Sequence, residues 1–295
     1  KIMIENRAFP SDRYAVLSQL NFHNLNESEL IEVGNNSQNY IIETETILSA
    51  IDAYKDELAL ILIGGVNYFT GQKFEIKKIV QKAHQHNIIV GFDLAHAAGN
   101  IKLKLHDWNV DFATWCSYKY LNGGPGNHGS IFVHSNHLQN PKIKRFSGWW
   151  GHNKKTRFLM PNTFDPILTA EAWQLSNPSI TSLAALKTSL DIFMEAGIDN
   201  LINKSNYLTG YLAYLLKIEL PKVNIITPID SKHRGAQLSL KIEGFSKKHL
   251  TLLKDYNVIC DFREPNIFRI TPIPLYNSYM DVYNFINILK RIIYE

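Results

Sequence analysis

The sequence predicts an α/β protein: a large, mainly parallel sheet wound by helices on both faces, followed by a small C-terminal α+β unit. Three observations predict this. Between Glu45 and Phe92, helical patterns at 46–53 and 75–86 alternate with apolar runs at 58–63 and 88–92, the order a doubly wound sheet produces. The runs themselves, such as Ile88-Ile89-Val90-Gly91-Phe92, are continuously apolar and rich in β-branched residues, as in strands covered on both faces. After residue 217 the order changes to strands at 223–227, 236–242, 258–262 and 267–271 with helices at 247–256 and 280–294, which suits an α+β lid.

Taken in order, the first residues, Lys1-Ile2-Met3-Ile4-Glu5, read as a strand, with no initiator Met and no signal sequence. The expectation is a large unit over 1–175 that is incomplete at its N-terminus. Ala8-Phe9-Pro10-Ser11-Asp12 is a strand-to-helix junction in which Ser11 or Asp12 is the expected N-cap. Residues 21–38 are polar and irregular, a surface excursion. The tract 178–216 is helical in two segments broken near Gly197, with Leu183, Leu186, Leu190 and Phe193 at helical spacing. Residues 176–217 are the expected connection to the small unit at 218–295. There are no repeats, low-complexity tracts or heptads.

Composition narrows the function classes. The 295 residues are 45% hydrophobic and 20% charged, a soluble globular balance. The formal charge of +4 is mild and the lysines are scattered among acids, so no nucleic-acid or membrane partner is expected. The longest apolar run, 58–63, is far too short to span a bilayer. Two cysteines, Cys116 and Cys260, are expected to be reduced thiols of a cytoplasmic protein. His84 and His86 are too close in a helix to share a face, and His134-Ser-Asn-His137 lacks a second ligand pair, so no metal is expected.

The chemistry concentrates between Ile88 and Gly126. One strand run stops at Asp93. The next, 110–116, is followed by Ser117-Tyr118-Lys119-Tyr120 and the glycine-rich Asn122-Gly123-Gly124-Pro125-Gly126. A carboxylate and a lysine thereby stand where parallel strands give way to loops, the edge at which open α/β sheets bind ligands. A lysine between two tyrosines suits Schiff-base chemistry, and a carboxylate in the same pocket could hold a pyridinium nitrogen protonated. An ordinary ion pair between Asp93 and Lys119 satisfies the same spacing. Phe9 can stack on a flat heteroaromatic ring or simply pack at the junction. His96 is either a ligand contact or a helix-end residue bonding a carbonyl. The segment 143–157 interleaves basic residues with Trp149 and Trp150: it can bind RNA, close over an aromatic amino acid, or lie on the surface with one Trp inward. Arg269 sits in an apolar strand and needs an anion, either a ligand carboxylate or a structural partner, Asp261 or Glu264.

The wording of these stretches is specific. Gly91-Phe-Asp-Leu-Ala-His-Ala-Ala-Gly-Asn100, the run from Leu105 through Asn122, Gly148-Trp-Trp-Gly-His152, Lys154-Lys-Thr-Arg-Phe158, Gln174-Leu-Ser-Asn-Pro-Ser179 and Arg269-Ile-Thr-Pro-Ile-Pro-Leu-Tyr-Asn-Ser278 together resemble the kynureninase family. The resemblance runs the length of the chain. It implies a fold-type-I pyridoxal 5'-phosphate (PLP) enzyme, a homodimer, that hydrolyses L-kynurenine or 3-hydroxy-L-kynurenine to an anthranilate and L-alanine in tryptophan catabolism and NAD biosynthesis. It further implies that Lys119 holds PLP and moves the Cα proton, that Asp93 pairs with the ring nitrogen, and that Tyr118 contacts the phosphate and relays protons. Phe9, Asp12, His96, Trp149 and Asn177 fall to the cofactor pocket, some reaching across a dimer interface, and Arg269 to the substrate carboxylate. A hydroxyl residue is common in the family where this chain has Gly64, so Gly64 is left out of the site. The phosphate-binding turn of the family has no counterpart in the sequence. Two other readings stay open: a different fold-type-I PLP lyase or aminotransferase, and a truncated, non-catalytic fragment.

Overall fold

A computed structural model describes residues 1–34, 40–140 and 142–294. The part of the 21–38 excursion at 35–38 lies outside them. In chain order the elements are β1 (Ile2–Glu5), α1 (Pro10–Phe22), β2 (Leu30–Val33), α2 (Thr44–Ala53), β3 (Leu60–Gly64), α3 (Ile76–His84), β4 (Ile89–Asp93), β5 (Phe112–Cys116), β6 (Gly129–Val133) and α4 (Ser135–Leu138). There follow α5 (Ile180–Ala196), α6 (Ile198–Glu219), β7 (Asn224–Ile225), β8 (Leu238–Lys241), α7 (Lys248–Asp255), β9 (Asp261–Arg263), β10 (Ile267–Ile270) and α8 (Tyr279–Tyr294).

The large sheet has the order β2-β1-β3-β4-β5-β6, parallel throughout except for β6, which runs antiparallel to β5. The small sheet, β7-β8-β10-β9, is antiparallel. Parallel strands buried on both faces need helices on each side, and α3 shows how the sequence provides one. Its Ile76, Ile79, Val80 and Ala83 fall on one face at helical spacing and are buried with Ile61, Ile63, Val90 and Phe92. Each of the Ile, Val and Phe side chains contributes roughly 1.5–3 kcal/mol.

Four local features depart from the sequence expectations or sharpen them. Leu30–Val33, inside the expected excursion, is an edge strand paired with β1; its Glu32 breaks the apolar signature. Neither Ser11 nor Asp12 caps α1: Phe9 is the N-cap residue, with no side-chain cap bond, and Pro10 opens the helix. Proline suits that place because its fixed φ is helical and its missing N–H would be an orphan anyway. That frees the Asp12 carboxyl for other use. On α5, Leu186 is buried while Leu183 and Leu190 remain exposed, so the helical stripe is only partly covered within the chain. The expected break between α5 and α6 falls at Gly197, whose φ of +76° few other residues adopt without strain.

A seam of buried polar groups ties the loop after β3 to the small sheet. Thr227 Oγ1 donates to Thr70 O, Ser239 Oγ donates to Phe69 O at 2.6 Å, and Gln237 Nε2 donates to Tyr68 O at 3.1 Å. The carboxyl edge of the large sheet is thereby held against the small one.

Gly91 in β4 lies directly under the Phe112 ring of β5; a Cβ there would come within 2.1 Å of it. Gly91→Ala is expected to destabilise the protein by about 1–3 kcal/mol, the range for overpacking. Urea denaturation measures the loss, and the added Phe112→Leu change is expected to recover part of it.

Candidate functional site

Four of the parallel strands, β1, β3, β4 and β5, deliver functional residues at their carboxyl ends. Phe9 and Asp12 follow β1, Tyr68 follows β3, Asp93 closes β4 with His96 just beyond it, and Lys119 follows β5. From the small sheet, β9 and β10 bring Arg263 and Arg269. Phe9, Tyr68, His96, Tyr118, Lys119, Tyr120, Arg263 and Arg269 line one cavity of about 480 Å³, completed by Asn122, Thr271, Ile273 and Tyr276. That volume falls in the range of small-molecule sites.

Lys119 Nζ lies 5.6 Å from the centroid of the Phe9 ring. Phe9 in turn meets Tyr68 edge to face, with centroids 5.2 Å apart. Among the described residues, no direct ion pair joins Lys119 to Asp93. The Asp93 carboxylate accepts instead from Ala95 N at 2.8 Å and is hydrogen-bonded to Asp12. Burial pushes the Asp12 carboxyl well above the usual carboxylate range, and the neighbouring Asp93 charge pushes it further, while Lys119 opposes both. Asp12 therefore keeps its proton to a higher pH than a free carboxyl does and donates it to Asp93.

A third carboxylate, which the sequence reading missed, stands behind them. Glu5 closes β1, is buried, and accepts from Gly64 N at 3.2 Å with each of its oxygens. A Cβ on Gly64 would sit 3.0 Å from Glu5 Oε1. The rule that singled out Asp93, a carboxylate at the end of a buried strand, applied equally to Glu5. Burial raises Glu5 to about 7, with backbone hydrogen bonds opposing and the Asp93 charge adding.

His96 is held neutral. Burial and then the charges of Lys119, Arg269 and Arg263 bring it down to about 3. Its Nδ1 is buried without a partner, as is Ser117 Oγ, so the carbonyl-bonding reading of this side chain does not hold. Burial also pushes the Tyr120 phenol up to about 12. Tyr120 meets the His96 ring edge-on at 5.7 Å. Tyr118 is half-exposed with its hydroxyl against Cys116. Arg269 has both roles open to it: Asp261 is its structural partner, Nη1 donates to Tyr68 O at 2.7 Å, and the residue still lines the cavity.

Trp149 and Asn177 do not join this cavity within one chain. Trp149 donates from Nε1 to Arg157 O at 3.1 Å, packs edge-on against Trp150 and Phe158, and lines a separate cavity of about 320 Å³. Asn177 is exposed beside Ser176. The basic-aromatic segment folds largely on itself: the buried Arg157 guanidinium donates to the carbonyls of Trp150 and His152, and Arg145 lies 4.6 Å from the Trp173 ring.

Residues 201–289 match the model of the kynureninase C-terminal domain. A kynureninase of Flavobacterium psychrophilum is 50% identical over 301 residues, covering 100% of this chain and 71% of that protein. One from Myxococcus xanthus is 51% identical, covering 98% of this chain and 68% of that protein. The chain belongs to the kynureninase family. Kynureninase 1 of Aspergillus oryzae extends the similarity to fungi, at 47% identity over 98% of this chain and 63% of that protein. Among solved structures, a cysteine desulfurase from Thermococcus onnurineus superposes with a TM-score of 0.80 at 14% identity, covering 99% of this chain and 72% of that one. An alanine–glyoxylate aminotransferase from Nostoc gives 0.75 at 15%, covering 99% and 74%. At those identities the likeness shows the fold alone, that of fold-type-I enzymes, as the family resemblance implied.

The residues of this family member fit a PLP group on the structure's own terms. An amine, an aromatic face, a carboxylate oriented by a second carboxyl, and two buried polar atoms without partners, His96 Nδ1 and Ser117 Oγ, are gathered about one cavity or directly beside it.

Glu5 makes a measurable signature. Its pKa is raised in the folded chain from 4.5 to about 7, so between those values the folded state keeps a proton that the unfolded chain has released. Stability from this group is full below pH 4.5 and falls as pH rises to 7, by about 3 kcal/mol. Glu5→Gln keeps an acceptor for Gly64 N and removes the titration. The variant is expected to match the wild type near pH 4.5 and to exceed it at pH 8, as read by chemical denaturation.

Proposed function

We propose that this chain hydrolyses L-kynurenine or 3-hydroxy-L-kynurenine with water, giving anthranilate or 3-hydroxyanthranilate and L-alanine, with PLP as cofactor. The observation that carries the reading is the single cavity in which an amine, Lys119, faces aromatic rings at Phe9, Tyr68 and Tyr120 and guanidiniums at Arg263 and Arg269. An amino acid with an aryl ketone side chain needs all three: a cationic seat for its carboxylate, flat apolar walls for its ring, and a lysine for its amine. The family membership, which spans the whole chain, supports the same substrate.

Bound at Lys119, PLP supplies an electron sink for bond cleavage at an amino acid's carbons. The chain's own residues do the rest. Lys119 Nζ would hold the cofactor and would carry the Cα proton. Asp93, oriented by its hydrogen bond with Asp12, would keep a proton on the ring nitrogen. Neutral His96 would pack against the cofactor without adding charge, and the Tyr118 hydroxyl would serve the phosphate and relay protons. Arg269 receives the substrate carboxylate.

Trp149 and Asn177, exposed and outside the Lys119 cavity in one chain, are assigned to the cavity of a partner subunit. The working unit is then a homodimer with shared sites. Its place is the cytoplasm, in keeping with two free thiols, Cys116 and Cys260. No helix among the described residues is long and apolar enough to cross a membrane.

The test is to add PLP and then kynurenine to the purified protein and to follow anthranilate fluorescence. Release of anthranilate with an equal amount of alanine is expected; alanine formation without anthranilate overturns the substrate. Lys119→Arg is expected to lose the visible absorbance that PLP acquires on the wild-type chain, along with all turnover. Mixing unfolded Lys119→Arg and Trp149→Ala chains and refolding them together is expected to restore activity that neither variant has alone, which checks the shared site.

A further inference from the structure

The small-sheet wall of the cavity holds two arginines joined by one acid. In the antiparallel pair β9/β10, Asp261 stands directly across from Arg269, and Arg263 lies two residues along β9 from Asp261, on the same face. A single oxygen, Asp261 Oδ2, accepts from Arg263 Nη2 at 3.0 Å and from Arg269 Nη2. Arg269 spends its other terminal nitrogen on Tyr68 O and is only 9% exposed. Arg263 uses one terminal nitrogen on the protein and is 41% exposed on the cavity wall. Both Nε atoms are buried without a partner. Two guanidiniums against one carboxylate leave a positive charge in excess, and the more available of the two cations is Arg263.

We propose that Arg263 is a second binding residue for the α-carboxylate of the amino-acid substrate, with Asp261 as the positioning residue that holds Arg263 and Arg269 in one seat. This rests on the substrate reading above. A guanidinium pair anchored at one end by Asp261 presents its remaining donors to a planar two-oxygen anion, the arrangement for which arginine is suited and lysine is not. The entering carboxylate balances the charge of the wall. Asp261 acts on geometry instead, because without it the two like charges repel and the seat opens.

The test uses the PLP-loaded enzyme and two ligands, kynurenine as substrate and its decarboxylated amine as competitive inhibitor. Arg263→Gln is expected to raise KM for kynurenine at least tenfold, to lower kcat by far less, and to leave the inhibition constant of the decarboxylated amine within twofold. Arg263→Lys, which keeps the charge and loses the planar fork, is expected to fall between Gln and wild type. Asp261→Asn is expected to raise KM as well, although it makes the wall more positive; a lowered KM would mean that charge alone matters and would overturn the positioning role. An unchanged KM in Arg263→Gln, or equal loss of affinity for both ligands, overturns the assignment of Arg263 while leaving the substrate reading intact. A wild-type enzyme that releases no anthranilate overturns both.

Discussion

The hydrogen bond between Asp12 and Asp93 holds two carboxyls together at the sheet edge within reach of the Lys119 charge, and the surrounding structure serves that contact. Two ionised carboxyls this close repel, so one keeps a proton, and it falls to Asp12, which burial already favours in the neutral form. The arrangement depends on strand order. β1, β4 and β5 are parallel and near neighbours, so the residues after β1, at the end of β4 and after β5 meet although more than a hundred residues separate the first from the last. The Phe9-Pro10 turn places Asp12 in the first turn of α1 with its side chain free, because Pro10 rather than a side-chain cap starts the helix.

The same edge shows how the site manages charge. Glu5, Asp12 and Asp93 are acidic on the large-sheet side, and Arg263 and Arg269 are basic on the small-sheet side, with Lys119 among them. Neutral His96 adds no charge to either camp, since the nearby cations and burial both oppose its protonation. An amino acid fits such a field with its carboxylate toward the arginines. The polar seam from Thr227, Gln237 and Ser239 to the loop carrying Tyr68 ties the two walls together, because each of those buried bonds costs free energy to leave unmade.

Local pattern carried a great deal. Lys119 and Asp93 stood out at the ends of apolar runs, but an ordinary ion pair fits that spacing as well, and it was the wording of the motifs around them that pointed to a cofactor site. The break at Gly197 was legible from a glycine between two helical stripes, and α3 from its spacing. What stayed hidden had weaker local signals. β2 is four residues long and interrupted by the charged Glu32, as edge strands often are, so its periodicity does not stand out. Glu5 met the same criterion as Asp93 but opens the chain in a strand too short to show that its end is buried. Arg263 lies beside Glu264 and Asp261 in a polar stretch that gives no hint of facing a cavity.

By itself, then, the order of residues determined most of the strands and helices, singled out Lys119 as the candidate amine, and, through motifs that run the length of the chain, gave the family. Those properties depend on neighbours within one element or on wording that only one family shares. Tertiary structure decided the rest: that Asp12 bonds Asp93 instead of capping α1, that Asp261 takes part of Arg269, and that Trp149 and Asn177 do not line the Lys119 cavity in a single chain. The first joins elements far apart in sequence and depends on strand order, the second depends on the register of β9 against β10, and neither is encoded in the pattern of a single element.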